Sequence, residues 1–352
     1  MKRVLLYTAL VITPVACTSE DSLTQPAAPE HPSALTTATA VNSWSSKAAY
    51  PGLVTVEGFL AMAPNAAGQS IVYYLAGHPE SEAEAVDGKP VKAYNVATDT
   101  WTTKAAGVEV WQTNGGGRIG SRIYFSGGFA MDDDFRHEIF MTGEVWAYDY
   151  VGDRMIRKTG MPIIAANGVS GVIGGKLYVL PGRCSGLFFP DPGYCSSSDT
   201  RRFFRYDPAV DRWVSRPWAP HNHAAGAAGV LQGRLYIVGG VNSRTGTATA
   251  DLDMYDPATN EWRTLAPIPS AGRAIGAVIG NRFFVIVQPS TGAARSYDYT
   301  PGTNLWRIRP APSWENDGVV QVMLGGTAHL FAAGDADRFE DNTPNASELY
   351  TR

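Results

Sequence analysis

One unit of short apolar runs separated by polar turns recurs along the chain, and residues 233–269 show it most clearly. Leu235–Val238 is apolar and ends at a Gly-Gly pair, which is typical of a buried strand that runs into a tight turn. Asp256–Asn260 has the composition of a hairpin turn, because Asp opens such turns and Pro presets the first central residue. The turn joins predicted strands at 253–255 and 261–265. A strand of small residues at 224–231 precedes them, and we expect it where backbones crowd together.

A tyrosine marks each unit and recurs after roughly 50 residues, at Tyr94, Tyr148, Tyr206, Tyr255, Tyr297 and Tyr350. A large side chain follows seven positions later in the first four units, as Trp101, Met155, Trp213 and Trp262. Trp306 follows Tyr297 by nine positions, so we expect two additional residues in the turn around Thr300–Thr303.

The spacing and the turn residues resemble those of the kelch family over nearly all of the chain after its leader. Kelch repeats are about 50 residues long, and each forms one four-stranded blade of a propeller. The matching features are the Gly-Gly pairs at 127–128 and 239–240, the Tyr-Asp-Pro turns at 206–208 and 255–257, and the spaced Tyr and Trp. Pro181-Gly182 and Gln288-Pro289 replace the Gly pair and depart from the pattern. The resemblance implies an all-β, six-bladed kelch-type β-propeller with four-stranded antiparallel blades.

The sixth unit has no outer strand after Tyr350, whereas residues 41–47 precede the first complete unit and include Trp44. We therefore predict that residues 41–47 pair beside Ser347–Tyr350 and that Trp44 supplies the missing tryptophan. This pairing of an N-terminal strand in the C-terminal blade would close the ring and remove an exposed strand edge.

The length, composition and net charge of the chain indicate its domain number and argue against one class of partner. The chain has 352 residues, of which 44% are hydrophobic and 18% charged, so it can bury a sizeable core within one domain. Its formal net charge of −4 argues against a broad basic surface for nucleic acid. We divide it into a signal peptide at 1–16, a lipidated Cys with a flexible linker at 17–40, and the propeller at 41–352, and we expect a monomer.

The first 16 residues have a basic start and an apolar run, as in a secretory signal peptide. Pro14–Cys17 resembles a bacterial lipobox, which implies that Cys17 is lipidated and anchors the protein as an outer-membrane lipoprotein, facing either the periplasm or the cell surface. Ordinary secretion with a free Cys17 is the alternative. The Ser-, Thr-, Ala- and Pro-rich segment at 18–40 is predicted to be a flexible linker.

Cys184 and Cys195 remain if Cys17 carries a lipid, and both lie in one insertion of the third unit, Arg183–Arg202. In an oxidising compartment we expect them to form a disulfide. A metal site is the less favoured alternative, because no histidine is close to them in the sequence.

In kelch propellers that bind peptides, polar residues at the start of the inner-wall strands and just after the Gly pair line the mouth of the central channel. Carried over residue by residue, the resemblance implies two sets of ligand-binding positions. The strand starts give Thr113, Asn167 and Arg273, and the positions after the Gly pair give His78, Arg183, Asn242 and Asp335. Arg273 matches best, and its alternative role is to bond neighbouring carbonyl groups at a blade junction.

Catalytic motifs are sparse: the chain has no Gly-x-Ser-x-Gly elbow, phosphate loop or His-Glu-x-x-His helix. The residues at 132–134 favour a solvated acidic loop over a calcium site. His221 and His223 have the spacing of metal ligands, but the sequence offers no third ligand, so it favours turn hydrogen bonding for them. No metal, cofactor or catalytic residue is therefore assigned.

We expect an envelope protein that recognises a protein, peptide or glycan on its loop face. Two alternatives remain, a structural envelope scaffold and a carbohydrate-modifying enzyme. The enzyme alternative follows from a resemblance to sialic acid mutarotases, which would pair Asp335 with Arg273 or Arg183 as acid or base and partner.

Overall fold

The computed structural model describes residues 42–49, 55–56, 58–79, 90–108, 110–131, 139–184, 199–312, 318–334 and 346–351. They form a β-propeller of six blades, each a four-stranded antiparallel sheet, which confirms the predicted fold class. A short 3-10 helix at Asp199–Arg201 precedes the third strand of blade 3. Within these ranges, no helix combines the length and the apolar character that crossing a bilayer requires.

Strands are numbered in chain order. β1 (Ser43–Ser46) comes first, and β2 (Thr55–Val56) pairs with a short strand outside the blades, β5 (His78–Pro79). Blade 1 contains β3 (Phe59–Pro64), β4 (Ser70–Leu75), β6 (Pro90–Asn95) and β7 (Thr100–Gly107). Blade 2 contains β8 (Gly116–Ile119), β9 (Arg122–Met131), β10 (Ile139–Asp149) and β11 (Arg154–Lys158). Blade 3 contains β12 (Val169–Ile173), β13 (Lys176–Leu180), β14 (Phe203–Asp207) and β15 (Arg212–Arg216).

The remaining blades continue in the same order. Blade 4 contains β16 (Ala227–Leu231), β17 (Arg234–Val238), β18 (Leu252–Asp256) and β19 (Glu261–Leu265). Blade 5 contains β20 (Arg273–Ile279), β21 (Arg282–Gln288), β22 (Arg295–Thr300) and β23 (Leu305–Arg309). Blade 6 contains β24 (Gly318–Leu324), β25 (Thr327–Gly334) and β26 (Ala346–Thr351), and β1 is its fourth strand.

The N-terminal strand closes the ring as predicted. β1 runs antiparallel to β26, with Trp44 opposite Tyr350 and Ser45 opposite Leu349. The indole of Trp44 packs on Tyr350, with ring centroids 5.2 Å apart, and its Nε1 donates a hydrogen bond of 3.0 Å to the carbonyl of Pro310 after blade 5. Trp44 is therefore the sixth member of the series, and blade 6 is built from both ends of the propeller sequence.

Every blade has a left-handed Asn or Asp just before its outer strand: in blades 1 to 5 this residue lies in the hairpin between the third and fourth strands, and in blade 6 it precedes β1. It occurs at Asn42, Asp99, Asp153, Asp211, Asn260 and Asn304, all with φ between 46° and 59°. In each blade its side-chain oxygen accepts a hydrogen bond from the hydroxyl of the repeated tyrosine. The large residue of the outer strand lies two positions further on. The repeat is thus better described as Tyr, then Asn or Asp, then Trp or Met.

The fifth unit departs from the expectation. Trp306 lies opposite Tyr299, not Tyr297, with ring centroids 5.0 Å apart, and the hydroxyl of Tyr299 bonds Asn304. The spacing of seven is therefore kept, and the prediction of two extra turn residues was wrong. Tyr297 and Tyr299 lie on the same face of β22 because side chains two apart share a face. The turn length, set by Asn304, decides which of them faces the tryptophan.

The repeated tyrosines are fully buried and join neighbouring blades. Each packs against an aromatic ring of the preceding blade, with ring centroids 4.5–6.0 Å apart. The pairs are Tyr94–Phe331, Tyr148–Tyr73, Tyr206–Tyr124, Tyr255–Phe203, Tyr299–Tyr236 and Tyr350–Phe284. Aromatic pairs at such separations add to the stability gained from burial alone. The cores between blades are therefore built around the same residue that organises the hairpin.

The outer tryptophans hold each blade to the segment that leaves the blade before it. Trp101, Trp213, Trp262 and Trp306 donate Nε1 hydrogen bonds of 2.9 Å to the carbonyls of Ala48, Thr159, Pro217 and Ala266. The Asn or Asp of the same hairpin often accepts from the same segment, as when Asp99 accepts from the backbone N–H of Ala48 at 2.8 Å. Met155 has no such donor, and in its blade Asp153 accepts from the N–H of Ala105 at 2.9 Å.

Acid should weaken the propeller through Asp99, Asp153 and Asp211. Burial alone raises the pKa of each carboxyl, but the tyrosine and backbone hydrogen bonds outweigh it, so the three pKa values lie below the ordinary 3.8. Carboxylates with a lowered folded pKa stabilise above the unfolded value, and this contribution is lost as the pH falls through the folded value. We expect the urea midpoint of the wild type to drop between pH 5 and pH 2.5, and that of the D99N/D153N/D211N variant to drop less.

Asparagine is a suitable replacement because Asn260 and Asn304 accept the tyrosine hydroxyl in blades 4 and 5. Glu261→Gln, which changes an exposed carboxyl on β19, serves as the control and should behave like the wild type. Equal acid sensitivity of the wild type and the triple variant would show that these hairpins do not carry the pH dependence.

Candidate functional site

The first strands of the six blades surround a central channel. They line a cavity of about 430 Å³ with residues from β3, β8, β12, β16, β20 and β24. Glycines in these strands let a neighbouring ring pack closely on their backbone: a Cβ on Gly229 of β16 or on Gly276 of β20 would lie 2.6 or 2.7 Å from the ring of Phe283 on β21. The small-residue strand that the sequence placed where backbones crowd, β16, thus lies at the channel wall.

A larger cavity of about 760 Å³ lies at one end of this channel. It shares Phe59, Gly115, Gly168, Gly226 and Ile275 with the channel lining, so the two spaces are contiguous. Its wall comes from the segments that enter the first strands and from the ends of the second strands of the blades. We call this space the mouth cavity.

A belt of backbone hydrogen bonds fixes one side of the mouth cavity. The N–H of Asn167 donates to the carbonyl of Gln112 at 2.7 Å, and Ala225 donates to Asn167 at 2.7 Å. Ala274 continues the series by donating to Ala225 at 2.9 Å. Gln112, Asn167 and Ala225 all have positive φ, at 48°, 54° and 53°. Each entry segment from blade 3 to blade 5 therefore donates a backbone hydrogen bond to the entry segment of the blade before it. These bonds hold the side chains of the entry segments on a rigid rim.

Three of the predicted ligand-binding residues line the mouth cavity: Thr113, Asn167 and Arg273. Thr113 is buried, and its hydroxyl accepts from the N–H of Gly115 at 3.2 Å. Asn167 donates its side-chain amide to Gln112. Arg273 is exposed at the first position of β20, opposite Gln288 on β21. Both neighbours, Gln112 and Gln288, also line the cavity, and the sequence analysis did not identify either.

Arg273 is the only charged side chain among the described residues that line the mouth cavity. The other polar groups there are neutral, and they come from Gln112, Thr113, Asn167, Thr247, Gln288 and Ser290. Gln288 donates its amide to the carbonyl of Gly292 at 3.3 Å, while its Oε1 is buried with no hydrogen-bond partner. The described lining of the cavity thus combines one cationic side chain with neutral hydrogen-bond donors and acceptors.

Arg183 and Asn242 are not among the residues that line the cavity. Arg183 exchanges two backbone hydrogen bonds with Ala166, of 2.6 and 2.8 Å, and so fastens the start of the third-unit insertion to the entry of blade 3. Asn242 organises its own turn, because its side-chain oxygen accepts from the N–H of Arg244 at 3.0 Å. The same loop nevertheless reaches the cavity, which is lined by Val241, Thr247 and Ala248.

Several predicted residues lie wholly or partly outside the described part of the chain. The backbone of His78 lies in β5, and its side chain is outside the described set. Asp335, Cys17 and Cys195 lie outside the described residues. Cys184 is buried and disulfide-bonded, and because its partner is not described, the pairing with Cys195 stays a prediction. The acid that the mutarotase alternative places beside Arg273 is therefore not located.

Comparison with known proteins agrees with the fold. The model of the kelch motif matches residues 224–269, which are the segment entering blade 4 and that blade itself. Kelch-like protein 23 of Pongo abelii is 26% identical over 273 residues, which cover 76% of this chain and 44% of that protein. Kelch-like protein terF of Aspergillus terreus is 26% identical over 246 residues, which cover 65% of this chain and 52% of that protein. The chain thus spans about half the length of these relatives.

A solved structure of YjhT superposes with a TM-score of 0.66 at 16% identity, covering 85% of this chain and 95% of that one. At this identity the likeness concerns the fold alone. The matched motif in blade 4 and the similarity to kelch-like proteins together support a relationship between this six-bladed propeller and the kelch-repeat proteins.

Proposed function

We propose that this protein is a binding protein of the cell envelope, and that its mouth cavity holds a carboxylate-bearing segment of a protein, peptide or glycan. One observation supports the proposal: among the described residues that line the cavity, Arg273 contributes a guanidinium, and the polar side chains around it are neutral hydrogen-bonding groups. A guanidinium binds a carboxylate through two parallel hydrogen bonds, which an ammonium group cannot reproduce. The envelope location rests on the leader sequence and stays a prediction.

The size and rigidity of the cavity suit this role. Its volume of about 760 Å³ falls within the range of about 300–1,000 Å³ that is common for ligand pockets. The hydrogen-bonded belt through Gln112, Asn167 and Ala225 holds the rim in place before a ligand arrives. A preformed rim lowers the entropy that binding must remove. Similarity to kelch-like proteins supports a role in interaction with other molecules.

The enzyme alternative requires a proton donor or acceptor beside the guanidinium. The described lining residues include no carboxyl, imidazole or thiol group. Asp335 and the side chain of His78 would have to supply this chemistry, and neither is described. The observations on the described part of the cavity therefore favour binding.

Replacing Arg273 with alanine should remove the ligands of the wild type. The experiment pairs a glycan array with a pull-down from detergent-solubilised envelope, and each ligand found is then titrated against the variants. A hydrogen-bonded charge at a buried contact contributes roughly 1.5–3 kcal/mol, so we expect affinity to fall about tenfold or more in Arg273→Ala. Arg273→Lys should recover only part of it, because lysine keeps the charge without the planar fork.

Arg307→Ala is the matched control, because Arg307 is exposed on β23, the outermost strand of the same blade. It should bind as the wild type does. Unchanged affinity in Arg273→Ala would contradict the proposed site. If neither the wild type nor any variant retains a ligand in the array or the pull-down, the result would favour the scaffold alternative.

A further inference from the structure

A second group of polar side chains lies away from the mouth cavity, beside the entry to blade 4. His221 and His223 belong to the segment between β15 and β16, and Asp253 lies on β18. Donor atoms of these three residues all lie within 4.8 Å of one another. The sequence showed the two histidines but not the carboxylate, which is about 30 residues further along. Pairing of β18 within blade 4 brings it to them.

The surroundings of His223 define which ring nitrogen is free to bind a cation. Its side chain is completely buried, and Nδ1 lies 2.9 Å from the carbonyl of Gly239. A carbonyl oxygen only accepts, so Nδ1 carries the hydrogen, and in neutral imidazole Nε2 is left with its lone pair. Nε2 points at Asp253 Oδ2, 3.2 Å away. A lone pair and a carboxylate oxygen at this distance need a positive charge to hold them together.

The hydrogen bonds around Asp253 also hold its carboxylate in a position suited to a metal ligand. It is fully buried, and its Oδ1 accepts from the hydroxyl of Thr264 at 2.8 Å. Oδ2 accepts from the backbone N–H of His221 at 3.1 Å and also lies 3.0 Å from Nδ1 of His221. Two imidazole nitrogens thus converge on one carboxylate oxygen that backbone and hydroxyl groups already hold in place.

We propose that His221, His223 and Asp253 form a binding site for a divalent transition metal ion such as Zn²⁺, with at least one coordination position open to water or to an added ligand. Ligand atoms around a tetrahedral zinc ion with bonds of about 2.0–2.1 Å lie about 3.3 Å apart. The separations of 3.0 and 3.2 Å between the ring nitrogens and Asp253 Oδ2 are close to that value. The site needs only a small outward movement of the half-exposed His221 ring to accept the ion.

The groups around the three ligands match the supporting contacts of known metal sites. Histidine ligands usually donate their second ring N–H to a carbonyl or carboxylate, as His223 does to Gly239, and ligating carboxylates are themselves hydrogen-bonded, as Asp253 is to Thr264. Asp251 places a second carboxylate near the other ring nitrogen of His221: its Oδ2 lies 3.9 Å from His221 Nε2, and 39% of its side chain is exposed. Two nitrogen ligands and one oxygen ligand select zinc-like ions over calcium, which prefers oxygen throughout.

Isothermal titration of the full chain, carrying no affinity tag, with ZnCl₂ after treatment with a chelator tests the site. We expect one Zn²⁺ per chain, no binding of Ca²⁺ under the same conditions, and a higher melting temperature in the presence of Zn²⁺, because an ion that binds the folded state stabilises it. His221→Ala should lower the affinity for Zn²⁺ at least about tenfold, a loss typical of metal sites even when only a supporting contact is removed. The half-exposed ring makes this the variant that should still fold.

His329→Gln is the matched control, because it removes an imidazole from β25 in blade 6 and should leave the stoichiometry at one. Absence of Zn²⁺ binding by the wild type would mean that a proton alone joins His223 to Asp253, and the proposal would fail. Equal Zn²⁺ affinity in the wild type and His221→Ala would also overturn it, since the ion would then lie elsewhere. Arg273→Ala should bind Zn²⁺ as tightly as the wild type does, because Arg273 lines the mouth cavity and is not one of the three proposed ligands.

Discussion

Trp44→Ala should destabilise the whole propeller, lowering the free energy of unfolding by about 3 kcal/mol, as large-to-small substitutions of packed aromatic residues do. The indole contacts Tyr350 in the same blade and Phe284 in blade 5, with ring centroids 5.2 and 6.1 Å away, and it bonds the carbonyl of Pro310. Its loss weakens both the pairing of β1 with β26 and the contact of blade 6 with blade 5. Urea denaturation followed by tryptophan fluorescence and circular dichroism measures the effect.

Trp218→Ala is the appropriate comparison because it removes the same side chain from an exposed position. Half of Trp218 is exposed, and its ring centroid lies 6.0 Å from the guanidinium carbon of Arg201. Surface substitutions of this kind usually change stability by less than about 0.5 kcal/mol. If the two variants lose equal stability, the ring does not depend on its closing strand as proposed.

Gly127→Ala should destabilise the junction of blades 2 and 3 by about 3 kcal/mol. Gly127 has φ of 62°, where an L-residue with a side chain is strained by about 1–2 kcal/mol. An added Cβ would also overlap the side-chain nitrogen of Asn114 and the carbonyl oxygen of Ala165. Asn114 is fully buried and donates to that carbonyl at 2.7 Å, so neither atom can move freely. Overpacking of this kind adds about 1–3 kcal/mol.

Gly120→Ala separates the two causes. Gly120 has nearly the same backbone conformation, with φ of 60°, but an added Cβ there would meet nothing within 4 Å. This variant should lose only the conformational part, about 1–2 kcal/mol. The difference between the two midpoints in a urea titration measures the steric part. Equal losses would mean that the contact with Asn114 and Ala165 contributes nothing.

The fold could be predicted from the sequence because one unit is repeated along the chain. The recurring Tyr and Trp, the Pro-containing turns and the strand lengths predicted six blades, because each blade solves the same packing problem with the same residues. The one error of register, at Tyr297, arose because Tyr299 shares its face on β22. The sequence did contain the correct signal: Pro301 stands two positions after Tyr299, as Pro257 does after Tyr255.

The ligand-binding positions were harder to predict. The three residues predicted at strand starts, Thr113, Asn167 and Arg273, line the mouth cavity, whereas Arg183 and Asn242, predicted after the Gly-pair positions, are not among its lining residues. The insertion after Arg183 and the turn around Asn242 differ in length, and loop length decides where a side chain ends. Gln112 and Gln288 carry no charge or motif that would have distinguished them before the structure placed them on the rim.

The sequence by itself determined the number of blades, the hairpin that builds each one and the closing role of Trp44, because these depend on local turn chemistry and on a pattern repeated many times. Only the tertiary structure decided which polar groups share a site. Arg273 and Gln112 line one cavity, and Asp253 lies beside His221 and His223, because sheet pairing and ring closure bring distant segments together. Spacing along a chain records local geometry, while contacts between blades depend on the whole ring.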